Sequence, residues 1–272
     1  MLTYPNAKIN IGLNIIEKRP DGYHNIETVF YPIGLSDVLQ VEVSETCTDY
    51  SFSSSGLIIE GDPENNLIIK AFRLIQSEFE IPPVDITLIK QIPFGAGLGG
   101  GSSDAAFMMK MLNEMFGLKI TNRKLGKMVS ELGADCAVFI RNRAVFATGT
   151  GNIFSPVKLK LKGYFLILIK PEIHVSTIEA YSLVTPEKPA ISIRESINRP
   201  ISEWKNLIHN DFEKSVFAKY PEIETIKNKL YNSGAVYASM SGSGSSVYGI
   251  FEKEPVNIED FENCFVTGGY LK

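Results

Sequence analysis

Polar and apolar residues take turns at the start of the chain. In AKINIGLNII, residues 7–16, Lys8, Asn10, Gly12 and Asn14 alternate with apolar neighbours, the period of two that a strand requires. RPDGYHN, 19–25, breaks the pattern with Pro20 and an Asp21-Gly22 turn signal, after which IETVFYPIG and DVLQVEVSE read as further strands. In NNLIIKAFRLIQSEF the apolar residues move to helical spacing, with Asn65 or Asn66 as N-cap. VDITLIKQI returns to strand alternation and runs into PFGAGLGGGSSDAA, then into an apolar helix, AFMMKMLNEMFG, closed by Gly117. TNRKLGKMVSELGAD predicts a second helix, capped by Thr121 or Asn122 and stopped at Gly133. GYFLILIKP is almost wholly apolar, as expected of a strand inside a sheet. Residues 186–200, rich in Pro, Ser and charge, read as a loop. NDFEKSVFAKYPEIETIKNKLYNSG predicts two helical stretches parted at Pro221, and AVYASMSGSGSSVYGIFE predicts strand, turn, strand. The first helical block ends and a new sheet starts near 155–163, which suggests domains over 1–156 and 157–272.

Composition narrows the function classes. A chain of 272 residues with 44% apolar and 21% charged side chains can fold two modest cores and is not disordered. The net charge of -4, the pI near 5.6 and the absence of a Lys/Arg block argue against nucleic-acid binding by bulk charge. No run approaches the roughly 20 apolar residues of a membrane span, and MLTYPNAKIN has no apolar signal core. Cys47, Cys136 and Cys264 are scattered without a CxxC, which points to a reducing cytoplasm and away from a disulfide framework or zinc ribbon. His24, His174 and His209 are too dispersed for a metal cluster. Nothing in the sequence demands a protein partner.

The strongest chemical signal is Pro93-Phe94-Gly95-Ala96-Gly97-Leu98-Gly99-Gly100-Gly101-Ser102-Ser103, between a strand and a helix. Glycines permit positive φ and close approach of backbone amides to an anion, and the following helix adds the positive end of its dipole. Asp104, just beyond, reads as a complement to that dipole. Residues 95–100 satisfy G-x-G-x-x-G literally, yet the acidic residue that a dinucleotide fold places about 20 residues on is missing. No Lys-Ser or Lys-Thr follows the glycines, so the Walker pattern fails too.

Three other groups can carry chemistry. Asp135 follows a helix stop and opens the next helix; it reads either as a general base kept ionised by the dipole or as an N-cap. Lys8 lies among apolar residues and needs a partner if it points inward, and Asn10 shares its face. Tyr23 can stack on a pyrimidine while His24 reads its edge; the plainer reading is a hairpin loop with a surface aromatic.

PFGAGLGGGSSDAA resembles the phosphate-binding loop of the GHMP kinases. AKINIGLNI and SMSGSGSSVYGIF resemble the first and third motifs of that family, in the same order. PNAKIN, then DGYH, then GAD followed by Phe139, is similar to the branch acting on 4-diphosphocytidyl-2-C-methyl-D-erythritol, although Cys136-Ala137 stands where many relatives have Val-Pro. The resemblance implies an α+β fold, with an N-terminal domain like ribosomal protein S5, a ferredoxin-like C-terminal domain and the active site in the cleft between them. It implies ATP as donor, Mg²⁺ on the phosphates with Ser102 as the favoured protein ligand, and a small cytidine diphosphate alcohol as acceptor. Asn65, Asn66 and Leu67 would line the adenine side. Lys8 and Asp135 would act together, Asn10 on the acceptor. Tyr23, His24, Thr177 and Tyr181 would surround the base, and Ser241 and Gly242 would supply backbone near substrate or phosphate loop. The rivals are a kinase for homoserine or a mevalonate-like alcohol, and a nucleotide-binding regulator without turnover.

Overall fold

The computed structural model of the chain describes residues 1–59, 61–182, 184–256 and 260–272. Their strands are β1 (Leu2–Thr3), β2 (Asn6–Lys18), β3 (His24–Ser36), β4 (Val38–Val43), β5 (Tyr50–Gly56), β6 (Val84–Lys90), β7 (Val145–Thr148), β8 (Ile153–Pro156), β9 (Phe165–Pro171), β10 (Tyr237–Met240), β11 (Val247–Phe251) and β12 (Cys264–Tyr270). The helices are α1 (Leu67–Glu78), α2 (Gly100–Met115), α3 (Asn122–Ser130), α4 (Cys136–Arg141), α5 (Thr177–Ser182), α6 (Ile193–Ser196), α7 (Trp204–Leu207), α8 (Phe212–Lys219) and α9 (Pro221–Asn232). The fold is α+β.

The chain forms two compact units. One is assembled from 1–7, 35–94 and 99–143, the other from 8–34, 95–98 and 144–272. This division differs from the one at 156/157 because most of the β2–β3 hairpin, with β7 and β8, belongs by its contacts to the second unit.

The first unit has a sheet in the order β1-β4-β6-β5, with β4 antiparallel and β5 parallel to β6. Along β6 every second residue is buried, so Val84, Ile86, Leu88 and Lys90 share the inner face. α1 buries Ile68, Ile69, Phe72 and Ile75, and α2 buries Ala105, Met108, Met109 and Leu112. Asn66 caps α1 through its side-chain oxygen, which accepts from the Ile68 amide at 2.9 Å. α2 ends at Met115, with Gly117 at φ +59° just beyond, where a left-handed residue costs glycine nothing. Thr121 caps α3, which stops three residues before Gly133.

The second unit carries two sheets, β2-β3-β7-β8 and β10-β11-β9-β12. β9, apolar except for Lys170, is flanked by β11 and β12 as its composition requires. Leu13, Ile15, Ile167, Ile169, Phe212, Val216, Ile223 and Leu230 meet in its core. Pro221 occupies the first turn of α9, where its missing N–H leaves no bond unmade. Within 186–200 the loop gives way to α6, capped by Ser192.

Candidate functional site

The glycine loop leaves β6 through Pro93 and the exposed Phe94. Gly95, Gly97 and Gly99 have φ of +56°, +72° and +69°, so three alternating positions adopt the conformation that glycine tolerates best. Ala96 and Leu98, between them, are buried. Gly99 is the N-cap of α2 and offers no side-chain bond. The amides of Gly100, Gly101 and Ser102, in the first turn, therefore lack helical acceptors, and the dipole of a 16-residue helix adds positive potential there. Such an end is able to bind an anion. Ser103 turns inward, fully buried.

Beside this end the first unit holds a cavity of about 410 Å³, lined among others by Asn65, Asn66, Leu67, Phe94, Gly101 and Asp104. A Cβ on Gly101 would meet only Leu67 Cδ1, at 3.5 Å, so the helix terminus opens onto space. Asn65 to Leu67 thus line the cavity at the start of α1, next to the first turn of α2.

Lys90 lines the same cavity, and sequence reasoning missed it. Its ammonium, 1% exposed, donates to Asp37 Oδ2 at 2.5 Å and Asp104 Oδ2 at 2.7 Å. Asp37 Oδ1 accepts from the amides of Gln91 and Ile92. Asp104 is not the dipole complement that its place in the sequence suggests. α2 begins at Gly100, so Asp104 is its fifth residue, buried against Lys90 and not a solvent-side partner of the dipole. Burial raises its pKa to about 7, against the opposing pull of Lys90. Asp104 Oδ1 and Ser103 Oγ are buried without hydrogen-bond partners. The signal that could have found Lys90 is its register: it follows Val84, Ile86 and Leu88 at period two and needs an anion inside.

Asp135 sits at the N-cap position of α4, half-buried, with helical φ and ψ of -79° and -14° and no side-chain cap bond. The capping role is therefore not what its carboxylate does. The neighbouring Cys136 thiol is pushed up to about 11, chiefly by burial.

In the second unit, Lys8 and Asn10 meet as their shared strand face requires. Lys8 Nζ donates to Asn10 Oδ1 at 2.6 Å and to the Gly97 carbonyl at 3.1 Å, and lies 5.0 Å from the Phe30 ring centroid. Both residues are buried. Ser241, fully buried, donates to the Gly97 carbonyl at 2.8 Å and accepts from the Asn10 amide at 3.1 Å. A Cβ on Gly97 would lie 1.9 Å from the Ser241 carbonyl oxygen, so this glycine is required by packing against the third motif. Asn210, a second residue that sequence reasoning missed, donates to the carbonyls of Met240 and Gly242 at 2.8 Å and fixes that turn. Gly242 itself has φ +57°.

The β2–β3 turn carries Tyr23, 67% exposed, and His24. The imidazole stacks on Tyr181, centroids 4.8 Å apart and planes 21° from parallel, and Tyr181 in turn sets its ring edge-on to Phe212. Residues 157 positions apart in the chain thus form one aromatic cluster. Burial lowers the His24 pKa, with Lys18 adding to the effect. Thr177, at the start of α5, places its hydroxyl 3.4 Å from that of Ser243. His174, unassigned by sequence reasoning, lies so near Gly95 that a Cβ there would be 2.5 Å from its Nδ1.

Among the described residues no cluster of His, Cys, Asp and Glu could hold a metal ion, and no helix is long and apolar enough to cross a membrane. Residues 66–143 match the GHMP kinases N terminal domain and residues 192–261 the GHMP kinases C terminal domain. Over the whole of both chains the sequence is 58% identical to the 4-diphosphocytidyl-2-C-methyl-D-erythritol kinase of Bacteroides fragilis, and 54% identical to that of Parabacteroides distasonis. A crystal structure of 4-(cytidine 5'-diphospho)-2C-methyl-D-erythritol kinase matches 93% of this chain and 91% of its own, with a TM-score of 0.78 and 30% identity. The Methanococcus jannaschii mevalonate kinase, 12% identical with a TM-score of 0.69 over 100% of this chain and 98% of its own, shares the fold.

Proposed function

The chain belongs to the GHMP kinase family, and from that premise we propose that it transfers the γ-phosphoryl group of ATP to the 2-hydroxyl of 4-diphosphocytidyl-2-C-methyl-D-erythritol. The products are the 2-phosphate and ADP, in the methylerythritol phosphate route to isoprenoids. A cytidyl acceptor is supported by 58% identity to kinases of that name, and by the aromatic cluster around His24 and Tyr181 beside the exposed Tyr23. In this reading Tyr23 stacks on the cytosine, His24 reads its edge, and Tyr181 supports the site from the other side. Thr177 borders it. Domains over 1–156 and 157–272, within which both matched ranges fall, belong to the same proposal.

ATP occupies the cavity of the first unit, its adenine against Asn65, Asn66 and Leu67 and its phosphates on the first-turn amides of α2. The remaining loop residues, Pro93 to Leu98, shape the approach. Phosphoryl transfer asks mainly for positioning and charge stabilisation. Asp135 accepts the hydroxyl proton as the oxygen attacks phosphorus and ADP leaves. Lys8 stabilises charge near that oxygen, and Asn10, held by Lys8 and by Ser241, orients the acceptor. Mg²⁺ neutralises phosphate charge when bound. Ser102 would hold that cation through one hard hydroxyl on the first turn of α2, since among the described residues no group of three or more His, Cys, Asp or Glu could do so. A cytoplasmic location accords with three free cysteines.

Phosphorus NMR with ATP, Mg²⁺ and a panel of alcohols tests the substrate. Transfer to the cytidyl substrate and none to homoserine or mevalonate is expected; faster transfer to either of the latter overturns the assignment. For the chemistry, Asp135→Asn should slow single-turnover transfer by about 10²–10⁴-fold, or about 3–5 kcal/mol of barrier, with ATP affinity intact. A rate within about threefold of the parent would remove Asp135 from the reaction.

A further inference from the structure

Tyr23 is the one ring of the proposed base site with no aromatic neighbour among the described residues. It stands 67% exposed at the tip of a hairpin, so its place depends chiefly on how the backbone of the tip is held. That backbone is held by a small set of bonds. The Arg19 amide donates to the Tyr23 carbonyl at 2.8 Å and the Gly22 amide to the Arg19 carbonyl at 3.1 Å. Gly22 has φ +86°, which lets the turn close over so few residues. The side chains then tie the tip across. Asp21 Oδ1 accepts from the Tyr23 amide at 3.1 Å, and both its oxygens receive the Arg19 fork, with Nε at 3.0 Å and Nη2 at 2.8 Å from Oδ2. Arg19 Nη1 reaches Asn25 Oδ1 at 3.3 Å, which links the fork to β3. A bidentate carboxylate that also accepts a main-chain amide fixes a turn in a way a single exposed contact does not. Hydrogen bonding to Arg19 also holds the Asp21 carboxyl below its usual pKa.

We propose that Arg19 and Asp21 are positioning residues for the acceptor's base: together they hold the hairpin tip so that the Tyr23 ring is pre-ordered to stack on a planar heteroaromatic base. The inference rests on the reading of Tyr23 as the base-stacking residue. It follows from entropy. An exposed ring on a loose loop must be ordered by the ligand, which lowers affinity, whereas a ring on a clamped loop is ordered beforehand. The clamp touches no reacting atom, so its effect belongs in substrate binding and leaves the chemical step alone.

The test is a double-mutant cycle in steady-state kinetics with the full chain, ATP and the cytidyl acceptor. Asp21→Asn keeps the size of the side chain and loses the charge that holds the fork. It should raise the acceptor KM about 3–10-fold, with kcat and the KM for ATP unchanged. Arg19→Lys, which keeps a charge but not the fork, should give a smaller rise in the same parameter. In a Tyr23→Ala background, Asp21→Asn should have no further effect, because nothing is left for the clamp to position. An equal rise in both backgrounds, a fall in kcat, or no rise at all would each overturn the proposal. The two readings separate cleanly. Unchanged acceptor KM in Tyr23→Ala alone would sink the base assignment and this inference with it. A raised KM in Tyr23→Ala with an unchanged one in Asp21→Asn would sink only the clamp.

Discussion

Two groupings of a cation with aspartate, one in each compact unit, use the same charges in opposite surroundings. Lys90 sits between Asp37 and Asp104 with side chains 1%, 0% and 4% exposed. Arg19 grips Asp21 with side chains 39% and 47% exposed. In the first, water is gone and each charge depends on its neighbours, so the grouping is part of the core that supports α2 and the cavity beside it. In the second, water screens both partners, and the pair contributes little to the fold. The comparison separates two ways in which charge serves a site. Buried charge holds up the framework, and its loss is felt as instability. Exposed charge orders one loop, and its loss is felt only through what that loop presents.

The largest effect expected is that of Lys90→Met. It leaves two buried carboxylates around a side chain that cannot donate, and removing one partner from a buried grouping costs about 3–5 kcal/mol. The urea midpoint should fall accordingly, as should nucleotide binding. A variant within about 1 kcal/mol of the parent would mean that Asp37 and Asp104 are satisfied without the ammonium, and the contrast with Arg19 would collapse.

A smaller effect concerns pH. Asp104 ionises near 3.8 in the unfolded chain and near 7 in the folded one, because burial outweighs the pull of Lys90. The folded state then holds a proton that the unfolded state has lost, so this group's contribution is full below about pH 4 and declines as pH rises to about 7. The contribution falls through that window, and above it the contribution is flat. Asp104→Asn does not titrate. Its stability relative to the parent should therefore rise between pH 4 and pH 7 and then level, as measured by urea denaturation across that range. A difference independent of pH would show that Asp104 is ionised throughout and that Lys90 wins over burial.

The same contrast explains what could be read from the chain. Strand β9, the Asn66 cap, the end of α2 at Gly117 and the strand–turn–strand around Ser241 were all legible, because each is governed by local pattern and turn chemistry. So was the meeting of Lys8 with Asn10, two residues apart on one strand. Lys90 was not recognised, although its register with Val84, Ile86 and Leu88 carried the information; its partners lie 53 positions before it and 14 after it. The grouping of β2 and β3 with the C-terminal half, and the role of Asn210 behind Gly242, depend on contacts between distant segments that no local pattern announces. The stack of His24 on Tyr181 belongs to the same class: each residue was a candidate, but their touching is a property of the folded second unit. β12 was passed over, since CFVTGGY carries adjacent Gly268 and Gly269 near its end and reads more like a turn than an edge strand.

The smallest expected effect is the one that defines the exposed member of the comparison. Arg19→Gln removes the fork and shortens the side chain, which keeps a polar amide facing solvent. Because both partners are hydrated, the melting temperature should not move measurably, at low salt or high. The hairpin tip should change all the same. Its order rests on the amides of Arg19, Gly22 and Tyr23, which are bonded within five residues, and with the fork gone Asp21 has less reason to stay over the Tyr23 N–H. Native-state hydrogen exchange should therefore quicken at those amides while protection in the β9 core stays as it was, since local opening and global unfolding are separate processes. If instead the melting temperature falls as it does in Lys90→Met, or core protection drops along with that of the tip, then the Arg19 pair carries part of the fold, and exposure does not divide the two kinds of charge in this protein.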